Sequence, residues 1–439
     1  MNPLAQELND IIQRRNSNVL AMLSRLGKDL YFPKGILSQS AEAGKKAHTY
    51  NATIGIATDD AGPMYLPCIQ EHLTGIEPGN SYTYAPAEGK SQLREKWREK
   101  QLADNPTLRG KSFGQPVVTC GLTHGLDLVS DLLVDKDDII VLPDKFWENY
   151  TLIFELRSGA RFLHYPLFDN QGSFNVPAFQ KAVNEAAAKK SKIIMLFNFP
   201  NNPTGYTITP AEAVKITEVI RTTADQGTNC VVVLDDAYFG LFFDDHIMQE
   251  SLFGALANLH PRVLTVKLDG PTKEQFVWGF RIGFLTFGIS SAEGGQEIYT
   301  ALEQKTKGAI RAGISNCSHP AQTIILKALN SPAYAQERDE KVAILKKRAL
   351  KVREVLAGKK FEDIWEAYPF NSGYFMCLRL KAVEAETLRK YLLDQYGVGT
   401  IAMDTWDLRV AFSSIAEKDI PDLFATIAKA AQELMNRKE

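Results

Sequence analysis

The sequence has few of the features that mark secreted, membrane-spanning or metal-binding proteins. Its five cysteines are far apart and form no Cys-x-x-Cys pair, so neither a disulfide framework nor a metal site is expected. The seven histidines show no metal-ligand spacing either. No apolar run approaches the length of about 18 residues that a membrane span requires, and the polar N-terminal segment lacks the apolar core of a signal peptide. We therefore expect a cytoplasmic protein with free thiols, no metal and no membrane partner.

The chain also lacks an excess of charge of either sign. Its 50 Lys and Arg residues are interspersed with 52 Asp and Glu residues, so neither nucleic acid nor an acidic membrane surface is expected as a partner. There is no internal repeat and no low-complexity linker. Because 45% of the 439 residues are hydrophobic, the composition is typical of a globular enzyme with a large core.

Short apolar runs alternate with longer helical patterns between about residues 89 and 330. This alternation predicts an α/β fold with a mostly parallel seven-stranded sheet that is covered by helices on both faces. Several runs are apolar throughout, as strands buried on both faces should be. Strands are predicted at 117–120, 139–142, 161–165, 193–198, 231–235, 263–268 and 282–287, and helices at 89–101, 123–134, 176–190 and 210–225.

The pattern changes after about residue 331 and predicts a smaller α+β domain. A long charged helix is followed by two strands and two further helices, expected at 333–356, 373–380, 383–396, 407–412 and 418–438. The N-terminal segment is predicted to be helical, but it is too short for a domain of its own and should pack onto the C-terminal part. The predicted division is therefore a large domain at 61–330 and a small domain made of 1–60 and 331–439.

Three short strings between residues 198 and 283 follow apolar runs and carry five chemically distinct groups. They supply an amide, a carboxylate, a phenol, an amine and a guanidinium, on Asn202, Asp235, Tyr238, Lys273 and Arg281. Each string alone is also typical of a turn, a strand end or a pair of solvated charges. Their joint order favours a ligand site, because open parallel sheets bind ligands at the carboxyl ends of their strands.

The five groups match the needs of pyridoxal 5'-phosphate (PLP). An amine forms a Schiff base with an aldehyde, and a carboxylate keeps the pyridine nitrogen protonated so that the ring accepts electrons. An amide and a phenol bind the ring oxygen, and a guanidinium suits a phosphate. Lys267 is a rival for the Schiff-base lysine, but it lies in an apolar run, fourteen residues before Arg281 rather than the eight of Lys273.

With these motifs the chain resembles the fold type I PLP-dependent aminotransferases of class I, close to the aspartate and aromatic branch, from about residue 51 to 412. The resemblance implies the PLP-transferase fold and a two-step transfer of an amino group through Lys273. The substrates would be an L-amino acid of the aspartate or aromatic type and a 2-oxo acid such as 2-oxoglutarate.

A PLP-dependent lyase or decarboxylase on the same fold would use the same groups, so this alternative stays open. A PLP-sensing regulator fused to a DNA-binding domain is disfavoured, because the segment before the match is short and nearly neutral.

Two further segments are similar to the family's cofactor-binding motifs. Cys120-Gly-Leu-Thr-His-Gly resembles the phosphate loop, which implies contacts from the backbone at Gly121, Leu122 and Thr123 at a helix N-terminus. His124 in the same string is expected to be structural. Asp144-Lys-Phe-Trp-Glu-Asn resembles the segment whose ring stacks on the cofactor; Trp147 has the matching spacing to the asparagine, and Phe146 is the alternative.

Four residues receive roles only through the resemblance. The segment that begins at Asn51 is similar to the one that brings a glycine, here Gly55, against the substrate. Tyr84 in Tyr-Ala-Pro-Ala-Glu-Gly matches a tyrosine that reaches the cofactor phosphate of the other subunit, and neighbouring Tyr82 has the wrong spacing to Pro86. Arg409 would bind the substrate α-carboxylate, and Arg311 of the partner subunit would bind a side-chain carboxylate. A homodimer with shared active sites is therefore implied.

The sequence departs from the family pattern in two places. Gly270 stands where the family usually has a hydroxyl residue that binds the phosphate, so Thr272 or a water molecule is expected to replace that contact. The segment between Lys273 and Arg311 is also a few residues longer than the family pattern, so the match at Arg311 spans an insertion.

Overall fold

A computed structural model of the chain describes residues 1–33, 35–60, 62–290 and 295–437. Its largest element is a seven-stranded sheet. All seven predicted strands are present, and their ends lie within two residues of the predicted ones. In chain order the strands are β1 Val117–Thr119, β2 Ile139–Pro143, β3 Arg161–Tyr165, β4 Lys192–Asn198, β5 Asn229–Asp235, β6 Val263–Asp269 and β7 Gly283–Ile289.

The sheet has the strand order β1-β7-β6-β5-β4-β2-β3. Strand β7 is antiparallel to both of its neighbours, and the other pairs are parallel. Several strands are apolar along most of their length because each face of the sheet has its own core. Along β4, Ile194 and Leu196 pack into one apolar cluster, whereas Ile193 and Met195 pack into the other, as the two-residue period of a strand requires.

Helices cover both faces of this sheet. The four predicted helices are present as Ser91–Asp104, Gly121–Leu133, Val176–Lys189 and Pro210–Asp225. The last of these begins with proline in its first turn, after a capping box between Thr209 and Glu212, which explains why its start could be predicted. Further helical segments were not predicted, namely Pro67–Gln70, the π-helix Thr151–Arg157, Leu252–Leu256, Pro271–Glu274, Gly295–Gly313 and His319–Leu329.

The C-terminal part is a smaller α+β unit that follows the long helix Tyr334–Leu356. Its four-stranded antiparallel sheet has the order Trp365–Ala367, Phe375–Leu380, Asp407–Ala411 and Ile401–Ala402. Two helices pack on it, Ala385–Tyr396 and Ile420–Asn436. The predicted end of the last helix at Lys438 lies outside the described residues. Within the described ranges, no helix has the length and apolar character needed to cross a membrane.

The N-terminal segment contacts this C-terminal unit. It forms the helices Pro3–Arg15, Ser17–Met22, Arg25–Asp29 and Ile36–Lys46. Strand Tyr50–Asn51 pairs in parallel with Val398–Gly399, and the side-chain amide of Gln39 exchanges two hydrogen bonds with the backbone of Ala402. These contacts favour the predicted domain division, whose boundaries stay a prediction.

The carboxyl ends of the central strands meet at one edge of the large sheet. Asn198 at the end of β4 lies opposite Asp235 at the end of β5, and Asp235 lies opposite Leu268 near the end of β6. Lys273 follows β6 in the short helix Pro271–Glu274. The fold thus gathers residues that are up to 75 positions apart in the sequence.

Candidate active site

A pocket opens at this edge of the sheet and collects most of the predicted site residues. All five groups of the three strings contribute to it, together with two of the three phosphate-loop candidates and the predicted stacking ring. The predicted residues that line it are Leu122, Thr123, Trp147, Asn202, Asp235, Tyr238, Lys273 and Arg281. The sequence pattern therefore corresponds to one cavity.

Lys273 is held in the pocket by backbone contacts on its own turn. The hydroxyl of Tyr374 donates to the carbonyl oxygen of Lys273 at 2.9 Å, and the lysine Nζ lies 5.1 Å from the ring centroid of Tyr238. Burial lowers the pKa of the amine to about 8; the charge of Asp235 opposes this change and that of Arg281 adds to it. The neutral, nucleophilic form of the amine is therefore much more accessible than in an ordinary lysine.

Asp235 is a buried carboxylate, only 3% exposed, at the end of β5. It accepts a hydrogen bond from the hydroxyl of Tyr150 at 2.6 Å and one from the N–H of Ala237 at 3.2 Å. Burial raises the pKa of Asp235, although the Tyr150 hydroxyl and the Lys273 charge act in the opposite direction. A buried carboxylate whose hydrogen-bond donors are neutral is a good partner for a cationic group of a ligand.

The opposite end of the pocket is suited to an anion. Helix Gly121–Leu133 begins there without a side-chain cap, so its first N–H groups lack intrahelical partners and lie at the positive end of the helix dipole. A Cβ added to Gly121 would lie 2.4 Å from a terminal nitrogen of Arg281. Because glycine has no Cβ, this guanidinium lies directly against the first turn, and together they form a cradle for a phosphate.

His124 stabilises this turn. Its Nδ1 accepts a hydrogen bond from the N–H of Cys120 at 3.0 Å. Burial lowers the pKa of His124, which keeps the accepting nitrogen free of a proton. The structural role that was expected for His124 is the one its contacts show.

Arg409 adjoins the pocket through Asn202. On strand Asp407–Ala411 it is 1% exposed, and its two terminal nitrogens donate to the side-chain oxygen of Asn202 at 2.9 Å and to the carbonyl oxygen of Thr53 at 3.0 Å. Its Nε has no hydrogen-bond partner among the described residues. The guanidinium also lies 4.1 Å from the ring centroid of Phe375, and burial lowers its pKa to about 10. A buried cation with an unused donor is suited to bind a carboxylate.

These features fit PLP as a whole. A carboxylate with neutral donors suits a protonated ring nitrogen, the cradle at Gly121 and Arg281 suits a phosphate, and the amine of Lys273 suits an aldehyde. The three functions occur in one pocket, and each belongs to a different segment of the chain.

Comparison with known proteins identifies the family. The family model described as aminotransferase class I and II matches residues 54–427. The chain belongs to this family. Among its sequence relatives is the tyrosine aminotransferase of Klebsiella pneumoniae, 23% identical over 368 residues, which cover 80% of this chain and 86% of that protein.

Other curated relatives of this aminotransferase-family chain match over a shorter length. A probable aspartate aminotransferase of Methanocaldococcus jannaschii is 27% identical over 217 residues, and the aspartate aminotransferase of Bacillus subtilis is 25% identical over 254 residues. The chain covers only 52% and 57% of the length of these two relatives.

Solved aminotransferase structures have the same fold. An aminotransferase from Anaerococcus prevotii aligns with a TM-score of 0.82 at 24% identity over 93% of this chain and 99% of that one. The multiple substrate aminotransferase from Thermococcus profundus aligns with a TM-score of 0.79 at 15% identity over 96% and 100% of the two chains. The predicted α/β fold, that of fold type I aminotransferases, is therefore confirmed.

Lys267, the rival lysine, is committed to other partners in this family member. It is 1% exposed, and its amine forms ion pairs with Asp236 and, at 3.3 Å, with Asp269. It does not line the pocket. These contacts favour Lys273 as the lysine that reacts with the cofactor.

Trp147 and Gly55, whose roles as stacking ring and substrate-facing glycine stay predictions, lie at or beside the pocket. Trp147 lines the pocket, whereas Phe146 stacks on His164 with ring centroids 5.0 Å apart. A Cβ added to Gly55 would lie 3.6 Å from the ring of Phe375 and 3.9 Å from the Tyr238 hydroxyl. Gly55 therefore stands beside the pocket wall.

Tyr84 and Arg311 are not brought into the pocket of the single chain. Tyr84 is 87% exposed, as is neighbouring Tyr82. Arg311 is exposed near the end of helix Gly295–Gly313, and its guanidinium donates to the Ser315 hydroxyl at 2.5 Å. Residues 291–294, in the longer segment before Arg311, lie outside the described residues. The roles of Tyr84 and Arg311 stay predictions that require a second subunit.

Two residues of the site were not predicted. Tyr150 binds the carboxylate of Asp235, and only its position one helical turn after Trp147 could have drawn attention to it. Asn198 donates from its side chain to the backbone oxygen of Asp235 at 2.8 Å and accepts from the N–H of Asn202 at 2.8 Å. The sequence feature that could have indicated Asn198 is its place as the first residue of the string that contains Asn202. Asn198 fixes the turn that carries Asn202 to the strand that carries Asp235.

Proposed function

We propose that this chain is a PLP-dependent aminotransferase that moves an amino group between an L-amino acid and a 2-oxo acid such as 2-oxoglutarate. The amino acid would be of the aspartate or aromatic type. The observation that supports this most is the presence of the Lys273 amine, the Asp235 carboxylate and the anion cradle in one pocket, with Arg409 beside it. When bound, PLP would supply an aldehyde for the amino group and a ring that accepts electrons.

Different residues of this chain would bind the two ends of PLP. Asp235 would hold the ring nitrogen, with its own position set by Tyr150. The first turn of helix Gly121–Leu133 and Arg281 would hold the phosphate, with Thr272 near by. Asn202 and Tyr238 would donate to the ring oxygen, and burial raises the pKa of the Tyr238 phenol, which keeps it a donor. Trp147 would stack on the ring.

Lys273 would also move a proton. With a pKa of about 8, its amine is near the balance at which a group both accepts and returns a proton at neutral pH. The bond from Tyr374 to the Lys273 carbonyl fixes the turn, so the side chain alone needs to move. We propose Lys273 as both the general base and the general acid at the substrate.

Arg409 would orient the substrate by its α-carboxylate. Its guanidinium is held by Asn202, Thr53 and the Phe375 ring, so little side-chain entropy remains to be lost on binding. The missing side chain at Gly55 leaves space above the Phe375 ring. Arg311 of a partner subunit would add a second cation for a dicarboxylate.

We also propose a homodimer, and the exposure of Tyr84 and Arg311 in the single chain supports it. Mixing a Lys273→Ala subunit with a Tyr84→Ala subunit should restore activity to hybrid dimers, because one of their two sites then has both residues intact. Lack of any restoration in verified hybrids would contradict shared sites.

We also propose that the protein acts in the cytoplasm, since its five cysteines are free thiols and suit a reducing compartment.

Two experiments test the function. Borohydride reduction of the PLP-loaded protein, followed by peptide mass spectrometry, should place the cofactor on Lys273; a label on Lys267 would refute the assignment. A panel of L-amino acids should then convert the absorbance of bound PLP to that of its aminated form, and 2-oxoglutarate should reverse the change. Release of ammonia or carbon dioxide without a 2-oxo acid acceptor would identify a lyase or decarboxylase instead.

A further inference from the structure

A buried cluster of three charges lies beneath the proposed cofactor site. Lys267 on β6 pairs with Asp236, the residue after Asp235, and with Asp269 at the end of its own strand. Asp269 also accepts a hydrogen bond from the indole N–H of Trp97 at 3.0 Å. The hydroxyl of Ser251 donates to Asp236 at 2.6 Å. Two carboxylates and one amine give the cluster a formal charge of −1.

Such a cluster is costly to bury, and stability alone does not account for it. Ion pairs of this kind are often no more stabilising than apolar side chains of the same volume, and the other five residues of the run at 263–268 would suit an apolar neighbour at 267. What distinguishes the position is its proximity to Asp235. Asp235 and Asp236 are consecutive, and Asp235 lies opposite Leu268, the residue after Lys267.

We infer that Lys267 is a positioning residue of the cofactor site, which offsets part of the negative charge of Asp236 and Asp269 and thereby keeps the adjacent Asp235 carboxylate ionised. The inference rests on the proposed function, in which Asp235 holds the protonated ring nitrogen of PLP. Lys267 would act through Asp235 and would touch neither cofactor nor substrate. The sequence makes Lys267 a rival of Lys273 for the Schiff-base role, whereas its contacts in the structure point to this positioning role.

The charges that face these groups support the inference. Asp235 faces Tyr150, Tyr238, Lys273 and Asp236. Burial is the main cause of its raised pKa; the Tyr150 hydroxyl and the Lys273 charge oppose this, and the charge of Asp236 adds to it. Burial alone would lower the pKa of Lys267, but Asp236 and Asp269 more than offset this and raise it, so Lys267 stays a cation. The donors from the surrounding helices, Trp97, Ser251 and Gln101, are neutral. Lys267 is thus the cation that faces the two extra carboxylates.

The test is the binding of PLP to the full chain, measured by absorbance and by quenching of tryptophan fluorescence as the pH is lowered. Lys267→Met changes the cluster charge from −1 to −2, so Asp235 should take up a proton at a higher pH. We expect PLP affinity to fall by about tenfold near neutral pH and the acid-side midpoint of binding to move to higher pH. Affinity within twofold of the wild type across the pH range would overturn the inference.

The matched control is Lys267→Met combined with Asp236→Asn, which restores a cluster charge of −1. This double variant should recover most of the lost affinity and the original midpoint. Affinity as weak as that of Lys267→Met would show that lost packing is responsible and would overturn the inference.

Asp236→Asn alone covers the case in which Lys267→Met does not fold. It removes a negative charge beside Asp235, so the acid-side midpoint should move to lower pH; an unchanged or higher midpoint would overturn the inference. Failure of the wild-type protein to bind PLP would instead contradict the proposed function.

Discussion

The amine of Lys273 should titrate near pH 8 in the protein without PLP, far below its ordinary value near 10.5. Burial is the main cause, and the charge of Arg281 adds to it. A fall in pKa of this size corresponds to about 3 kcal/mol in favour of the neutral amine, at about 1.4 kcal/mol per pH unit. At pH 7.5 about a quarter of the amines would then be neutral, against about one in a thousand for an ordinary lysine.

Competitive labelling measures this titration directly. Trace acetic anhydride reacts with neutral amines, so the labelling of the Lys273 peptide, read by mass spectrometry at each pH, follows the neutral fraction. Exposed lysines of the same protein provide the internal reference. If Lys273 and these lysines label with the same midpoint, burial does not lower the pKa and the reasoning is refuted.

Two charge variants separate the causes. Arg281→Gln removes a cation and should raise the midpoint of Lys273 labelling. Asp235→Asn removes the opposing anion and should lower it. If Arg281→Gln lowers the midpoint and Asp235→Asn raises it, the charges attributed to the pocket are wrong, even if the wild-type midpoint is near pH 8.

Three further changes have clear expected outcomes. Arg409→Lys keeps the charge but loses the planar fork, so steady-state kinetics should show a fall in kcat/KM for amino acids of at least about tenfold; an unchanged value would exclude Arg409 from substrate binding. Glu274→Gln disrupts the ion pairs of the buried Glu274 with Lys100 at 2.6 Å and with Arg338 at 3.1 Å and should lower the free energy of unfolding in urea by about 3 kcal/mol, whereas no loss would mean that these pairs contribute nothing. Gly270→Ala should cost about 1–3 kcal/mol, and Gly279→Ala, where an added Cβ meets open space, should cost under about 0.5 kcal/mol; equal costs would contradict the packing assigned to Gly270.

The sequence predicted those parts of the fold and site that depend on local pattern. The strands β4, β5 and β6 are apolar runs that end in polar residues, so their positions, and the gathering of Asn202, Asp235 and Lys273, follow from periodicity and from the geometry of parallel sheets. The start of the helix at Pro210 follows from proline in its first turn.

Contacts between distant residues could not be predicted in this way. Asp235 and Tyr150 are 85 residues apart and Arg409 and Asn202 are 207 apart, and no local periodicity connects them. The choice between Lys273 and Lys267 was made on spacing. The structure gives a physical reason to favour Lys273, because two carboxylates surround Lys267. Those carboxylates lie at the ends of neighbouring strands, so their proximity to Lys267 cannot be predicted from local sequence.

Gly270 was noticed for the hydroxyl it lacks, and the structure gives the physical reason. A Cβ at Gly270 would lie 2.9 Å from the Cα of Gly283 and 3.0 Å from the carbonyl oxygen of Ile282. A Cβ at Gly283 would in turn lie 2.9 Å from the carbonyl carbon of Gly121. The two glycines therefore allow the end of β6, the start of β7 and the first turn of helix Gly121–Leu133 to pack backbone against backbone.

A serine or threonine at position 270 would force these three segments apart, and the anion cradle depends on their closeness because Arg281 lies just before β7. The hydroxyl of Thr272 lines the same pocket and donates to the carbonyl oxygen of Ile282 at 3.3 Å. It is thus placed by the close packing that excludes a side chain at 270. The close packing at Gly270 and Gly283 therefore places both the Thr272 hydroxyl and the segment that leads to Arg281 against the start of helix Gly121–Leu133.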